Sequence, residues 1–153
     1  MSPDYISVDA MRGWIETSNA PDPEADMLGR MIHAGKQQYI LEATIPTAAD
    51  TVIADYSAAQ LAWCHQNEFN IWAHFVDEES FFKTDEVEIM SYLDDGPFTT
   101  GLSRESPPRV GQWLGWQIVR AFMEKNQDVT LEALLAIENP QAILDQSGYK
   151  PNR

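Results

Sequence analysis

The sequence predicts an all-α fold, an orthogonal bundle of about five to seven helices in a single domain. Apolar residues recur at three- and four-residue spacing in several stretches, which is the pattern of helices with one buried face. Helix-start signals precede most of these stretches, and the sequence contains no β-hairpin signal. The length of 153 residues and the 44% share of apolar residues suit one globular domain with its own core.

A cluster of turn-forming residues at 18–23 separates a short first segment from the main body of the chain. We therefore divide the chain into an N-terminal segment, residues 1–23, and a helical domain, residues 24–153. In the first segment, the helical spacing of apolar side chains predicts a short helix through Met11, Trp14 and Ile15.

Two longer helices are predicted next. The first ends at Ile45-Pro46, and its apolar face consists of Met27, Leu28, Met31, Ile32, Gly35 and Tyr39. The second begins at Ser57, because Gln60 follows three residues later at the spacing of a capping box. Its apolar stripe runs through Leu61, Cys64, Ile71, Trp72, Phe75 and Val76. Glu68 lies on that same stripe, which is unusual for a carboxylate.

Three shorter helices are predicted in the second half of the chain. One begins at residues 84–86 and carries Val87, Met90 and Leu93. The other two close the chain, with caps predicted at Thr130 and at Asn139.

A longer helix, rich in tryptophan, is predicted to follow Ser106, because a capping hydroxyl and two prolines are a helix-start signal. Gly111 and Gly115 stand four residues apart in this helix, which would let another backbone come close to it. Its cluster of Trp113, Trp116 and Gln117 has two interpretations. If the cluster faces inward, it is core; if part of it is exposed, it is an interface for another protein.

Acidity is the main feature of the composition. The chain has 24 Asp and Glu against 10 Lys and Arg, a formal charge of −14. A field of this sign repels nucleic-acid phosphates and anionic lipid, so we expect no nucleic-acid partner. The same field can attract cations or the basic surface of a protein partner. The alternative reason for the acidity is solubility alone.

No apolar run approaches the roughly 18 residues of a membrane-spanning helix, and the single cysteine, Cys64, is predicted to be buried.

A catalytic metal site would need about three converging protein ligands. His65 and Glu68 stand three residues apart on one predicted helix, and His33 could join them only through the tertiary fold. The sequence contains no His-Glu-x-x-His motif and no glycine-rich phosphate loop. We therefore assign no catalytic residue, metal ligand or cofactor, and keep a metal-dependent, peptidase-like hydrolase that uses His33, His65 and Glu68 as the alternative function.

The carboxylate of Glu68 needs a partner if it lies between apolar neighbours. Arg104, Arg109 and Arg120 are candidates, and Arg109 is the first choice. Such a pair would either lock two helices together or contact a ligand. The residues that we predict to bind a partner are Glu68, Trp72, Arg109, Trp113, Trp116 and Gln117.

Several motifs occur in a specific order between about residue 26 and residue 151. They are Met31 to Tyr39, Ile45-Pro46, Tyr56-Ser57 with Gln60 and Trp63, Asn67-Glu68 with Ile71-Trp72, Gly96-Pro97-Phe98, Ser106 to Arg120, and Ser147 to Pro151. In these motifs the chain resembles the C-terminal half of the GldB family of gliding-motility lipoproteins.

The resemblance implies a non-catalytic binding or scaffold module of the gliding machinery and the associated type IX secretion apparatus, in the periplasm or cell envelope. The chain is about half as long as the family's proteins and has no lipidation cysteine near its start, so a cytoplasmic location is expected if it is the whole protein. A more distant similarity, to predicted zinc peptidases, implies a pseudoenzyme. Here His33-Ala34-Gly35 has alanine where those peptidases carry a metal-binding glutamate.

Overall fold

The computed structural model describes residues 3–18 and 22–152, and this part of the chain is helical with no strand. The helices are α1 (Pro3–Ser18), α2 (Met27–Thr44), α3 (Asp50–Ala54), α4 (Ala58–Gln66), α5 (Glu68–Asp77), α6 (Glu86–Leu93), α7 (Val110–Lys125), α8 (Leu131–Ala136) and α9 (Pro140–Ser147), with a 3₁₀ turn at Ser80–Phe82. The predicted all-α class and single domain are confirmed. Within the described ranges, no helix is long and apolar enough to span a membrane.

The helices in the described residues are more numerous than predicted, for two local reasons. Helix α3 is only five residues long and follows no clear start signal. The long helix predicted from Ser57 to Val76 is divided at Asn67 into α4 and α5. The Asn67 side chain donates to the carbonyl oxygen of Trp63 at 2.9 Å, so it binds the carbonyl that its own backbone amide also uses. This local competition is a recognised way in which asparagine disturbs a helix.

The crossing of α2 and α7 forms the centre of the molecule. Gly35 and Gly115 face each other there, and a Cβ atom added to Gly35 would overlap the backbone of Gly115. A Cβ atom on Gly115 would overlap the carbonyl oxygen of Met31. Gly111 packs against the backbone of Tyr92 in a similar way, with 3.0 Å between an added Cβ atom and the Tyr92 carbonyl oxygen. The structure therefore uses the close backbone approach that the two glycines of α7 allow.

Helix α1 packs on α2 and α3 and connects the first segment to the bundle. Val8 and Ile15 are buried, and the Arg12 guanidinium donates to the carbonyl oxygen of Ile53 at 3.1 Å. The short helix predicted in this segment is thus part of a longer one. The division of the chain into residues 1–23 and 24–153 stays a prediction.

Several local predictions are confirmed. Ser57 and Gln60 form the expected capping box, with each side chain bonded to the other residue's backbone amide. The Thr130 hydroxyl caps α8, and the Asn139 side chain caps α9. Cys64 is buried, and burial raises the pKa of its thiol to about 12. A thiol that stays protonated in this way serves as a small hydrophobe.

The helix start predicted at Ser106 is wrong, because α7 begins at Val110. The Ser106 hydroxyl accepts from the backbone amide of Thr99 at 3.1 Å and donates to the carbonyl oxygen of Ser103 at 2.5 Å. The Thr99 hydroxyl then accepts from the backbone amide of Val110 at 3.1 Å. The hydroxyl that satisfies the first amide of α7 therefore belongs to Thr99, in the loop before the helix. The spacing of residues next to the helix start could not indicate this contact.

Candidate binding groove

Two of the predicted binding residues lie in the core. Trp113 and Trp116 on α7 are 1% and 0% exposed. His65 packs edge-on against the Trp113 ring, with 5.4 Å between centroids, and the Arg120 guanidinium lies 3.8 Å from the centroid of the Trp116 ring. Gln117 is partly buried, and its amide donates to the Trp113 carbonyl oxygen at 3.5 Å. This face of α7 therefore points inward, and its indole rings offer no surface to a partner.

Arg109 joins three parts of the fold at the start of α7. Its guanidinium donates to the carbonyl oxygens of Ala54 and Asp55, each at 2.9 Å. These carbonyls lie at the C-terminal end of α3, where positive charge is favoured. Arg109 also pairs with Asp95 at 2.9 Å and lies 5.2 Å from the centroid of the Tyr56 ring. Arg109 is thus held within the fold by contacts to α3, to Asp95 and to Tyr56.

Glu68 begins α5 and is bonded to a tyrosine from the C-terminal segment. The Tyr149 hydroxyl donates to Oε2 of Glu68 at 2.6 Å. Burial is the main cause that raises the pKa of Tyr149, and the neighbouring Glu68 carboxylate raises it further. The hydroxyl therefore keeps its proton, and its role as donor, at a higher pH than a free tyrosine does. The expected pair between Glu68 and Arg109 is therefore wrong. Arg120, another candidate, pairs instead with acidic residues of α2 and α3.

The three side chains of the alternative metal site, those of His33, His65 and Glu68, each have different surroundings in the structure. His33 on α2 lines a surface cavity of about 650 Å³, whereas His65 lies against Trp113 and Glu68 bonds to Tyr149. Among residues 3–18 and 22–152, no group of three or more His, Cys, Asp or Glu side chains is placed to hold a metal ion.

The cavity beside His33 has a mixed lining. Lys36 lies in its wall and donates to the carbonyl oxygen of Ile137 at 2.6 Å. Burial lowers the pKa of Lys36, although the neighbouring Glu138 acts in the opposite direction. Arg30, also in the lining, pairs with Glu86 at 2.8 Å. The cations of this cavity are therefore already bonded within the protein.

A different cavity is lined mainly by apolar side chains. It is an open groove of about 430 Å³ between α5, the 3₁₀ turn and the end of α9. Its apolar walls are formed by Trp72, Val76, Phe82, Leu144 and Tyr149. Phe82 is 63% exposed and Val76 is 42% exposed, although both are apolar. We call this surface the α5–α9 groove.

Buried aromatic rings support the α5–α9 groove from below. Phe75 and Phe81 stack with 5.5 Å between centroids and 16° between planes. At one end, Tyr149 is held in place by its bond to Glu68. Trp72 packs against the Phe69 ring, with 6.2 Å between centroids. The groove is therefore built on packed side chains.

Acidic residues border the α5–α9 groove. Glu79 and Asp145 belong to its lining, and both are exposed. Asp77 and Glu78, at the end of α5, are exposed as well and lie between Val76 and Glu79 in the sequence. Lys150 is the cation in the described lining, so acidic groups outnumber basic ones at this surface.

Two of the predicted binding residues, Glu68 and Trp72, lie at or beside the α5–α9 groove. The structure adds Phe82, Val76 and Tyr149, to which we had assigned no binding role. One signal for Phe82 was present in the sequence: Phe81 and Phe82 are adjacent between two helices. Neighbouring side chains in a short turn rarely point the same way, so one of the two rings could be expected to face solvent.

The comparisons with known proteins identify the family. A family model described as gliding motility protein GldB matches residues 1–151, including the first segment, which lay outside the motifs used in the sequence analysis. The searches of curated proteins and of solved structures returned no match. The distant similarity to zinc peptidases stays a prediction. Because the family model covers nearly the whole sequence, the chain belongs to the GldB family of gliding-motility proteins.

Proposed function

We propose that this chain is a non-catalytic binding or scaffold module that contributes to gliding motility by holding another protein. The α5–α9 groove is the observation that carries the proposal. It gathers large apolar side chains, among them Phe82 and Val76, in one concave and solvent-exposed surface. Contiguous exposed apolar surface with a polar border is typical of protein interaction sites.

The composition of the groove supports this role. Aromatic side chains dominate the energetics of many protein interfaces, and Trp72, Phe82 and Tyr149 line this one. The stacked pair of Phe75 and Phe81 beneath them is buried, so the floor does not have to be ordered when a partner binds. Such preorganisation lowers the entropy lost on association.

The remaining predicted binding residues receive a supporting role in this proposal. Arg109, Trp113, Trp116 and Gln117 hold α7 within the bundle, and α7 contacts both α5 and α9. They therefore affect binding by positioning the helices that form the groove. Glu68 acts in the same way, because it fixes Tyr149 at the end of the groove.

Family membership supports a place for the module in the gliding machinery and the associated type IX secretion apparatus. We propose the periplasm or the cell envelope as its location. The strongly acidic surface, with a formal charge of −14, suits a partner that is basic where it meets the groove.

The test is a pulldown from the envelope fraction of the source bacterium with the wild type and two variants. Phe82→Asp places a charge in the groove at a residue that is exposed in the structure. Val87→Asp is the matched control, because Val87 is 79% exposed and does not belong to the groove lining. We expect the wild type and Val87→Asp to recover the same partner and Phe82→Asp to lose it.

Each variant is first shown to be folded by circular dichroism and urea unfolding. A gliding assay with the same variants in place of the wild type then links binding to motility. Equal partner recovery and normal gliding by the Phe82→Asp variant would contradict the proposal.

A further inference from the structure

We infer that the occupant of the α5–α9 groove is an amphipathic helix of a partner protein, with apolar anchors on one face and basic residues beside them. This inference rests on the proposed function and specifies the partner of the same site. It follows from the backbone around the groove, its dimensions and its charge.

The backbone around the groove favours recognition by side chains. Helix α5 contributes Trp72, Phe75 and Val76 to the lining and α9 contributes Leu144 and Asp145, and the amides of these residues are bonded within the helices. The rest of the lining comes from the segment around the 3₁₀ turn and from the residues that follow α9. The described chain has no strand, so it offers no sheet edge to which an extended peptide could add. A partner must therefore be held by apolar and charged side chains. A helix laid in a groove is the common arrangement of this kind.

The groove matches the spacing of a helical partner. Trp72 and Val76 are four residues apart on α5, so they form a ridge one helical turn long. Phe82, in the 3₁₀ turn that packs against α5, lies in the same groove. One turn of a partner helix has the same length as the ridge from Trp72 to Val76, so two successive anchors of such a helix can lie along it. A partner helix would present anchors at positions i, i+3 or i+4, and i+7.

The charge of the rim indicates the polar residues of that helix. Glu79 and Asp145 line the groove, and Asp77 and Glu78 lie exposed at the end of the same wall. Lys150 opposes them with a single positive charge. Complementary charge speeds association and rejects wrong partners, so lysine or arginine is expected beside the apolar anchors.

The same charge argues against a second copy of this chain as the occupant. Each copy carries a formal charge of −14, so two copies would bring acidic surfaces together. It also argues against a lipid chain, because an acyl group gains nothing from an acidic rim. A basic amphipathic helix uses both the apolar walls and the charged border.

The experiment is selection from a phage-displayed library of random peptides of about 16 residues, roughly four helical turns, on the full-length folded chain. We expect enriched peptides with helical spacing of apolar residues and a net positive charge. Their binding should be lost with Phe82→Asp and retained with Val87→Asp. A charge-reversed twin of the best peptide, with its lysines and arginines replaced by glutamate, should bind roughly tenfold more weakly at low salt.

A charge swap provides the sharper control. The double variant Glu79→Lys and Asp145→Lys should bind the selected peptide more weakly than the wild type does. It should bind the charge-reversed twin more tightly than the wild type does. Enrichment of proline-rich, extended or acidic peptides would overturn the inference, and so would no enrichment. Sedimentation that showed a dimer of the wild type, lost with Phe82→Asp, would assign the groove to a second copy and overturn it as well.

The peptide selection tests the form of the partner, and the pulldown tests whether the groove binds a protein at all. If Phe82→Asp abolishes partner recovery from the envelope but the selected peptides are not helical and basic, the groove binds a protein of another form, and only this inference falls. If partner recovery does not depend on Phe82, the proposed function falls too, whatever the selection returns.

Discussion

The α2–α7 crossing and the α5–α9 groove use similar residue types in opposite ways. At the crossing, Trp113 and Trp116 are buried, and Arg120 stacks on Trp116 while it pairs with acidic residues. In the groove, Trp72 is partly exposed, and Phe82 faces solvent beside acidic residues. Aromatic and charged residues at helical spacing therefore do not by themselves distinguish core from interface. Exposure of apolar surface makes that distinction here.

The two regions also differ in how much space they leave for an added side-chain atom. The crossing brings backbone against backbone at Gly35 and Gly115, so any added atom collides with a rigid group. The groove is open, and Phe82 and Val76 in its lining are exposed. We therefore expect substitutions at the crossing to change stability and substitutions in the groove to change binding, and the following predictions test this in order of effect.

The largest expected effect on stability is that of Gly115→Ala. The new Cβ atom would overlap the Met31 carbonyl oxygen, so α2 and α7 must move apart. We expect a loss of at least about 3 kcal/mol in the free energy of unfolding, measured with urea. Gly13→Ala is the control, because a Cβ atom at Gly13 meets nothing within 4 Å. A wild-type midpoint for Gly115→Ala would contradict the close crossing.

The next effect is that of Arg109→Ala, which removes two bonds to the carbonyl oxygens of Ala54 and Asp55. We expect a loss of about 2 kcal/mol in the free energy of unfolding, with the ion pair to the exposed Asp95 adding little. Arg104→Ala is the matched control, because Arg104 is exposed, and it should change stability by less than about 0.5 kcal/mol. Equal stability of both variants would show that Arg109 does not anchor α7.

Tyr149→Phe should have a smaller effect that depends on pH. At neutral pH we expect a loss of about 1 kcal/mol, because Glu68 loses its hydrogen-bond donor. The raised pKa of Tyr149 means that the folded chain keeps the phenol proton above pH 10, where the unfolded chain releases it. The wild type should therefore lose stability as the pH rises through about 10, and the variant should lose less. Parallel pH profiles from urea unfolding would refute this role of Tyr149.

The smallest effect on stability is expected for Phe82→Ala. Because Phe82 is largely exposed, its truncation should change the free energy of unfolding by less than about 0.5 kcal/mol. The same variant should lose most of its affinity for the partner. Loss of stability comparable to that of Arg109→Ala would mean that Phe82 belongs to the core, and the contrast between the two regions would disappear.

Much of the fold could be predicted from the sequence because it depends on local patterns. The apolar spacing indicated α2, α6 and α7, and the caps at Ser57, Thr130 and Asn139 act on amides within the next few residues. Predictions failed where a contact comes from far along the chain. Thr99 satisfies the first amide of α7 from 11 residues earlier, beyond the reach of a local cap, and Glu68 bonds to Tyr149 rather than to an arginine.

The candidate site was harder to predict for a related reason. Glu68 and Trp72 were identified from one helix, but the α5–α9 groove exists only because the end of α9 lies beside α5. No spacing within α5 indicates that neighbour. Phe82 and Tyr149 belong to separate segments, so their common surface is a property of the tertiary fold.

The central claim is that the α5–α9 groove, and not the interior face of α7, meets the partner. The most direct measurement is photo-crosslinking in living cells, with benzoylphenylalanine in place of Phe82 in one strain and of Val87 in another. Both positions are exposed, but only Phe82 lines the groove. We predict a protein adduct from position 82 and none from position 87. Adducts of equal yield at both positions, or an adduct at position 87 alone, would contradict the claim.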